Sequence, residues 1–108
     1  MKLNFEQNFN NKLNCKILTT IRKAHSADLI ATDVEIYLQN IKAFIGRVVG
    51  QHKLKFKDIP YIILKTDTGL DFPTISQYLE LFQKWYPDWT EETEVEILVI
   101  KRMQLNDN

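Results

Sequence analysis

The segment Glu94–Lys101, EVEILVIK, restricts the fold more than any other part of the chain. Its composition is that of a β-strand, and its centre, Ile97-Leu98-Val99-Ile100, is apolar on both sides of the pleat. Such a strand cannot lie exposed at a sheet edge, because it needs cover on both faces. With 108 residues the chain has material for one core of that kind. A single domain over 1–108 is expected, with its core from about residue 5 to residue 102 and this strand in its interior. Met1–Leu3 and Gln104–Asn108 are polar enough to read as flexible ends.

Other segments supply the partners. Ile17–Arg22 is β-branched and reads as a strand, as does Val34–Gln39, where Val34, Ile36 and Leu38 alternate with polar or amphipathic residues. Ile41–Phe56 is too long for one flat strand, and Gly46 and Gly50 point to bends or bulges within it. Phe5, Phe9 and Leu13 recur at four-residue spacing, which predicts a short helix over Phe5–Asn14 capped by Asn4. Pro73–Tyr86 predicts a second helix, with Ile75, Tyr78, Leu79 and Phe82 on one stripe and Pro87 forbidding continuation. Asp58–Thr66 admits two readings. Its Tyr61-Ile62-Ile63-Leu64 run suits a strand, whereas Asp58 as cap with Pro60 in the first turn suits a short helix, which is preferred. Four or five strands and two or three helices in no repeating βαβ order indicate an α+β fold. Alternation predicts a closed or nearly closed barrel with Ile17, Ile21, Val34, Ile36, Val48, Leu54, Phe56, Val95, Ile97 and Val99 facing inward.

Charge and motifs narrow the function classes. Formal net charge is zero, so any attraction to a polyanion must come from local segregation of charge. Cys15 is the one cysteine, which excludes an intramolecular disulfide and fits a reducing compartment. No apolar run has the length of a signal peptide or a membrane span, so a cytoplasmic address and no membrane partner are expected. His25 and His52 have no second ligand at metal spacing, and no metal site or cofactor is expected. Nucleotide-binding glycine loops and the common hydrolase motifs do not occur.

A more specific signal lies in Cys15-Lys16-Ile17-Leu18-Thr19-Thr20-Ile21-Arg22. It resembles the N-terminal signature of the ASCH domain family, a branch of the PUA-like β-barrels, in which a lysine follows a short helix and the strand closes with Thr-Ile-Arg. Asp33–Leu38 resembles the family's next strand, with Thr32 where glycine is usual, and Ile45-Gly46-Arg47-Val48-Val49 resembles the one after it. Asp67-Thr68-Gly69-Leu70, Trp85-Tyr86-Pro87 and the closing Ile100-Lys101-Arg102 follow in the family's order, so the resemblance runs from about Phe5 to Arg102. It implies a small PUA-like β-barrel of about five strands with two or three flanking helices, and a cleft lined by the Thr-Ile-Arg strand. It also implies RNA or single-stranded nucleic acid as the partner.

One branch of the family hydrolyses acetylcytidine with a lysine, a threonine and a glutamate. Thr20 matches the threonine, but Ile17 stands in the lysine's place and Gln77 in the acid's. Lys16 and Glu80 are the nearest substitutes, so an amidohydrolase is carried as an alternative and the leading reading is non-catalytic. The residues expected to hold the ligand are Lys16, Thr20, Arg22, Lys23, Lys53 and Lys55. Two alternatives stay open among them. Lys53, Lys55 and Lys57 either form a basic surface or neutralise Glu92, Glu94 and Glu96 across the sheet. Arg22 either serves the cleft or pairs with Asp28 or Asp33. Trp85, Tyr86 and Trp89 either stack on unpaired bases or close the core, and an exposed apolar patch around the two tryptophans would favour a protein partner on the same barrel.

Overall fold

The strand that cannot face water is an interior strand of the sheet. In a computed structural model, which describes residues 1–6, 8, 13–25 and 27–103, five strands form one mixed sheet: β1 (Lys2–Phe5), β2 (Ile17–Lys23), β3 (Asp33–Leu38), β4 (Ile41–Lys55) and β5 (Glu94–Arg102). Their order is β1-β3-β4-β5-β2. β5 therefore has an antiparallel neighbour on each edge, β4 and β2, and β1 joins β3 in parallel. A 3₁₀ turn at Phe56–Asp58 leads into α1 (Tyr61–Thr68) and α2 (Ile75–Gln83). The fold is α+β, as expected.

The two terminal strands of that order, β1 and β2, approach each other. Arg22 Nη2 on β2 donates to the Asn4 carbonyl on β1 at 3.3 Å, and the Arg22 guanidinium lies 4.6 Å from the centre of the Phe5 ring. The sheet is thus curled into a half-barrel, not closed by a backbone ladder between β1 and β2 among the described residues.

Each side of the curl carries a core. Leu3, Phe5, Leu18, Val34, Ile36, Phe44, Val48, Leu98 and Ile100 pack on one side, together with Leu13. On the other, Ile21, Val95, Ile97 and Phe56 pack against Leu64 of α1 and Tyr78 and Phe82 of α2. β5 feeds both sides with alternate residues, which explains its unbroken apolar centre. This corrects the expected single inward set. Of the residues assigned to one interior, Val34, Ile36 and Val48 lie on the concave side, whereas Ile21, Leu54, Phe56, Val95 and Ile97 lie under the helices. Ile17 is 57% exposed, and Val99 is half-buried. The cause is a bulge in β4 between Val48 and Gly50. One extra residue reverses the alternation, so Val48 and Leu54, of equal parity, point to opposite sides. Gly46 has its own reason to be glycine: a Cβ there would stand 2.5 Å from Ile100 Cγ2.

The helices differ from expectation in extent. α2 is shorter than Pro73–Tyr86; Thr74 caps it, its Oγ1 accepting from the Gln77 amide at 3.3 Å. α1 follows Pro60 as its cap rather than Asp58, which belongs to the 3₁₀ turn, and Ile62 on it is 66% exposed. It ends at Gly69, whose φ of 73° is the left-handed conformation that glycine adopts without strain. Asp67 and Thr68 form the last turn of that helix.

The N-terminus departs most. Phe5 ends strand β1 and does not open a helix, and Lys2 and Leu3 belong to the sheet instead of a flexible end. Leu3 and Phe5 alternate into the concave core, and this burial outweighs the four-residue spacing that suggested a helix. Leu13 and Asn14 form a short 3₁₀ turn. The rest of the expected helix, residues 7 and 9–12, and the expected flexible end at 104–108 lie outside the described residues.

Candidate nucleic-acid interface

The gap between the ends of the curled sheet is a cleft of about 400 Å³. One wall is β2, through Thr20, Ile21 and Arg22; another is the end of β1, through Asn4, Phe5 and Glu6. The last turn of α1 contributes Asp67 and Thr68, and the end of α2 with the residues after it contributes Leu81, Phe82, Lys84, Trp85 and Tyr86.

Arg22 organises the cleft. Its Nε donates to Thr20 Oγ1 at 3.1 Å, Nη1 to the Tyr86 hydroxyl at 3.4 Å and Nη2 to Asn4 O at 3.3 Å. These bonds use three of the five N–H groups of the guanidinium. Neither expected aspartate is its partner: Asp33 pairs with Arg47 at 2.9 Å, and Asp28 accepts from the Ile30 amide at 3.0 Å. Thr20 is 2% exposed, so its hydroxyl is presented only inside the cleft. The β2 backbone adds to the wall. Ala24 N donates to Glu94 O, and Lys16 O accepts from Arg102 N, so the even-numbered residues of β2 turn their peptide groups toward β5. Ile21 therefore turns its N–H and C=O toward the open edge.

The cleft brings together only part of the expected set. Thr20 and Arg22 line it; Lys16, Lys23, Lys53, Lys55 and Glu80 do not, and all five are exposed elsewhere on the surface. Lys16 and Glu80 thus do not share the cleft with Thr20, and Gln77, where the hydrolytic branch has its acid, serves the α2 cap. Among the described residues no three His, Cys, Asp or Glu side chains assemble as a metal set. No helix among them is long and apolar enough to cross a membrane.

The lysine row is mostly a cross-strand arrangement. Lys53 and Lys55 stand opposite Glu96 and Glu94 in register. Lys55 and Lys57 both donate to Glu92, at 2.9 and 2.6 Å, and these hydrogen bonds hold its carboxyl down at about 2 and raise Lys57 in return. In an NMR titration Glu92 should therefore titrate well below the ordinary carboxylate range. In a Lys55→Ala/Lys57→Ala double variant it should return to about 4.3, the range of an unpaired glutamate. An unchanged Glu92 titration in the double variant would rule out this pairing in solution. Glu96 leaves the row altogether: it is fully buried and paired with His25 and Gln51.

The aromatic cluster divides. Trp89 is 2% exposed and Tyr86 stacks on it at 4.2 Å, whereas Trp85 is 36% exposed at the cleft. The two tryptophans therefore do not form one exposed apolar patch.

Reading the sequence missed Asp67 and Lys84. Only the packing of α1 against β2 brings Asp67 to the cleft, where Thr19 Oγ1 donates to it at 3.5 Å. Compared with protein-family models, with curated proteins and with solved structures, the chain finds no match.

Proposed function

We propose that this chain is an ASCH-like domain of the PUA-like barrel class and that its cleft binds an unpaired nucleotide of RNA or single-stranded nucleic acid. The observation that carries this reading is one cleft holding Thr20 and Arg22 of the Thr-Ile-Arg strand together with the exposed indole of Trp85 and the ammonium of Lys84. An indole offers a stacking surface to any base, and a fixed guanidinium offers N–H donors to a base edge or phosphate oxygen. The size of the cleft is at the lower end of ligand sites, about 300–1,000 Å³, and suits one nucleotide rather than a folded RNA surface.

The test is fluorescence anisotropy with a labelled single-stranded RNA of random sequence. Trp85→Ala should weaken binding by roughly tenfold, the loss of one base–aromatic stack. Arg22→Ala should weaken it too, but Trp85 gives the cleaner readout because Arg22 also bridges β1 and β2. Raising the salt should weaken the wild type only shallowly, since about one phosphate contact, at Lys84, is involved. A folded wild type that binds no single-stranded RNA or DNA sinks the reading.

A further inference from the structure

We propose that the peptide groups of Ile21 read the Watson–Crick edge of the bound base, so that the cleft takes a base only when that edge is unpaired and unmethylated. The inference rests on the nucleotide-binding reading above and deepens it.

An antiparallel ladder uses the N–H and C=O of every second residue and turns those between them away from the neighbour. On β2 the residues turned away from β5 are Ile17, Thr19, Ile21 and Lys23. Ile17 and Lys23 are exposed, so water serves their peptide groups. Ile21 is different. It is 3% exposed, and of those four it is the one that lines the cleft. Among the described residues neither its N–H nor its C=O meets a partner, because β1 forms no ladder with β2 there. Buried peptide groups are nearly always hydrogen-bonded, and each one left unpaired opposes folding. Two such groups side by side on a cavity wall mark a place for a ligand that brings one acceptor and one donor.

An unpaired nucleobase is such a ligand. Every base carries an acceptor beside a donor on its Watson–Crick edge: N1 beside the 6-amino group in adenine, N3 beside the 4-amino group in cytosine, O6 beside N1–H in guanine, and O4 or O2 beside N3–H in uracil. Ile21 N–H donates to the acceptor while its C=O accepts from the donor. In a duplex the same edge faces the opposite strand, so a paired base cannot enter. A phosphate or carboxylate satisfies only the N–H, since an ionised oxygen has no proton to give the carbonyl. The peptide pair is fixed by the sheet and carries no net charge, so it adds recognition without adding to the salt dependence.

Labelled single-stranded heptamers of uridine, 3-methyluridine and 5-methyluridine test this with the unaltered protein. Uracil has one donor on its Watson–Crick edge, N3–H, and the 3-methyl group replaces it, whereas the 5-methyl group lies off that edge. The uridine and 5-methyluridine heptamers should bind alike. The 3-methyluridine heptamer should bind at least about tenfold more weakly, the effect of losing two hydrogen bonds. That ratio should be the same at low and high salt. In NMR spectra the Ile21 amide proton should move downfield with the uridine heptamer and stay in place with the 3-methyluridine one. Equal affinity for all three heptamers, or an equal penalty for both methyl groups, overturns the edge reading and leaves nucleotide binding standing. A 3-methyl penalty with an unmoved Ile21 amide overturns the role of Ile21. Binding to none of the three removes the nucleotide reading as well.

Discussion

Glu96→Ala is expected to lower the free energy of unfolding by about 3–5 kcal/mol, the scale of losing several hydrogen bonds to one buried charged acceptor. The Glu96 side chain is fully buried on β5, and it accepts from Gln51 Nε2 at 2.7 Å, from the His25 amide at 3.2 Å and from His25 Nδ1. Gln51 extends the network to the Leu29 amide at 2.8 Å and the Ala27 carbonyl at 3.2 Å. One carboxylate therefore fastens the connection between β2 and β3 onto the sheet, and its loss leaves buried N–H groups without an acceptor. His25→Ala should cost less, because that side chain is 42% exposed and water can replace it.

The same group sets a pH dependence. Burial pushes the Glu96 carboxyl up, but the hydrogen bonds from Gln51 and His25 outweigh it and hold the group below its ordinary 4.5. The folded state thus binds this proton less readily than the unfolded state. Its contribution to stability is complete above the ordinary carboxylate range and falls away as the pH drops through the folded value. Urea denaturation across a pH series should show Glu96→Gln with a shallower acid decline than the wild type. A loss under about 1 kcal/mol for Glu96→Ala at neutral pH, well short of that scale, would count against the network.

Trp89→Ala should be as damaging, by about 3–5 kcal/mol, as expected when a buried aromatic is cut back to a methyl group. The indole is 2% exposed and stacks between Phe82, at 5.7 Å, and Tyr86, at 4.2 Å, with the Phe56 ring edge-on at 6.1 Å. No small movement closes such a void, because its neighbours belong to α2, to the segment after it and to the 3₁₀ turn that follows β4. Trp85→Ala is the control. Trp85 is more than a third exposed and meets the edge of Phe82 at 6.1 Å, so thermal unfolding should shift far less. Equal shifts for the two tryptophans would contradict this division of the cluster.

Much of the architecture could be read from local pattern. The interior place of β5 followed from its apolar centre, the break in β4 from its length and glycines, and α2 from its stripe and the proline beyond it. What local pattern could not supply was parity across the bulge. Whether Leu54 shares a side with Val48 depends on one unpaired residue, Val49, and nothing in composition marks that residue as the extra one. β1 was missed for a related reason: four residues give too little alternation to outweigh a competing helical spacing. The cleft was half legible. Thr20 and Arg22 belong to one motif, but Asp67, Lys84 and the His25–Glu96 pair reach their places by long-range packing that no spacing rule encodes.

The chain order of the sheet has a consequence for how the molecule comes into being. β5, which lies between β4 and β2, is the last strand of the described chain, and β2, one of the earliest, has its described ladder with that strand, Ile17 opposite Lys101 through Lys23 opposite Val95. A nascent chain that has emerged as far as α2 can join β3 to β4 through a tight turn and add β1, but β2 has no strand to pair with and both apolar sides stay open. Loop closure over nearly the whole chain must precede the contacts that reward it, so assembly is late and cooperative. Until residues 94–102 arrive, the unpaired edges of β2 and β4 are the places where a neighbouring chain could substitute for β5.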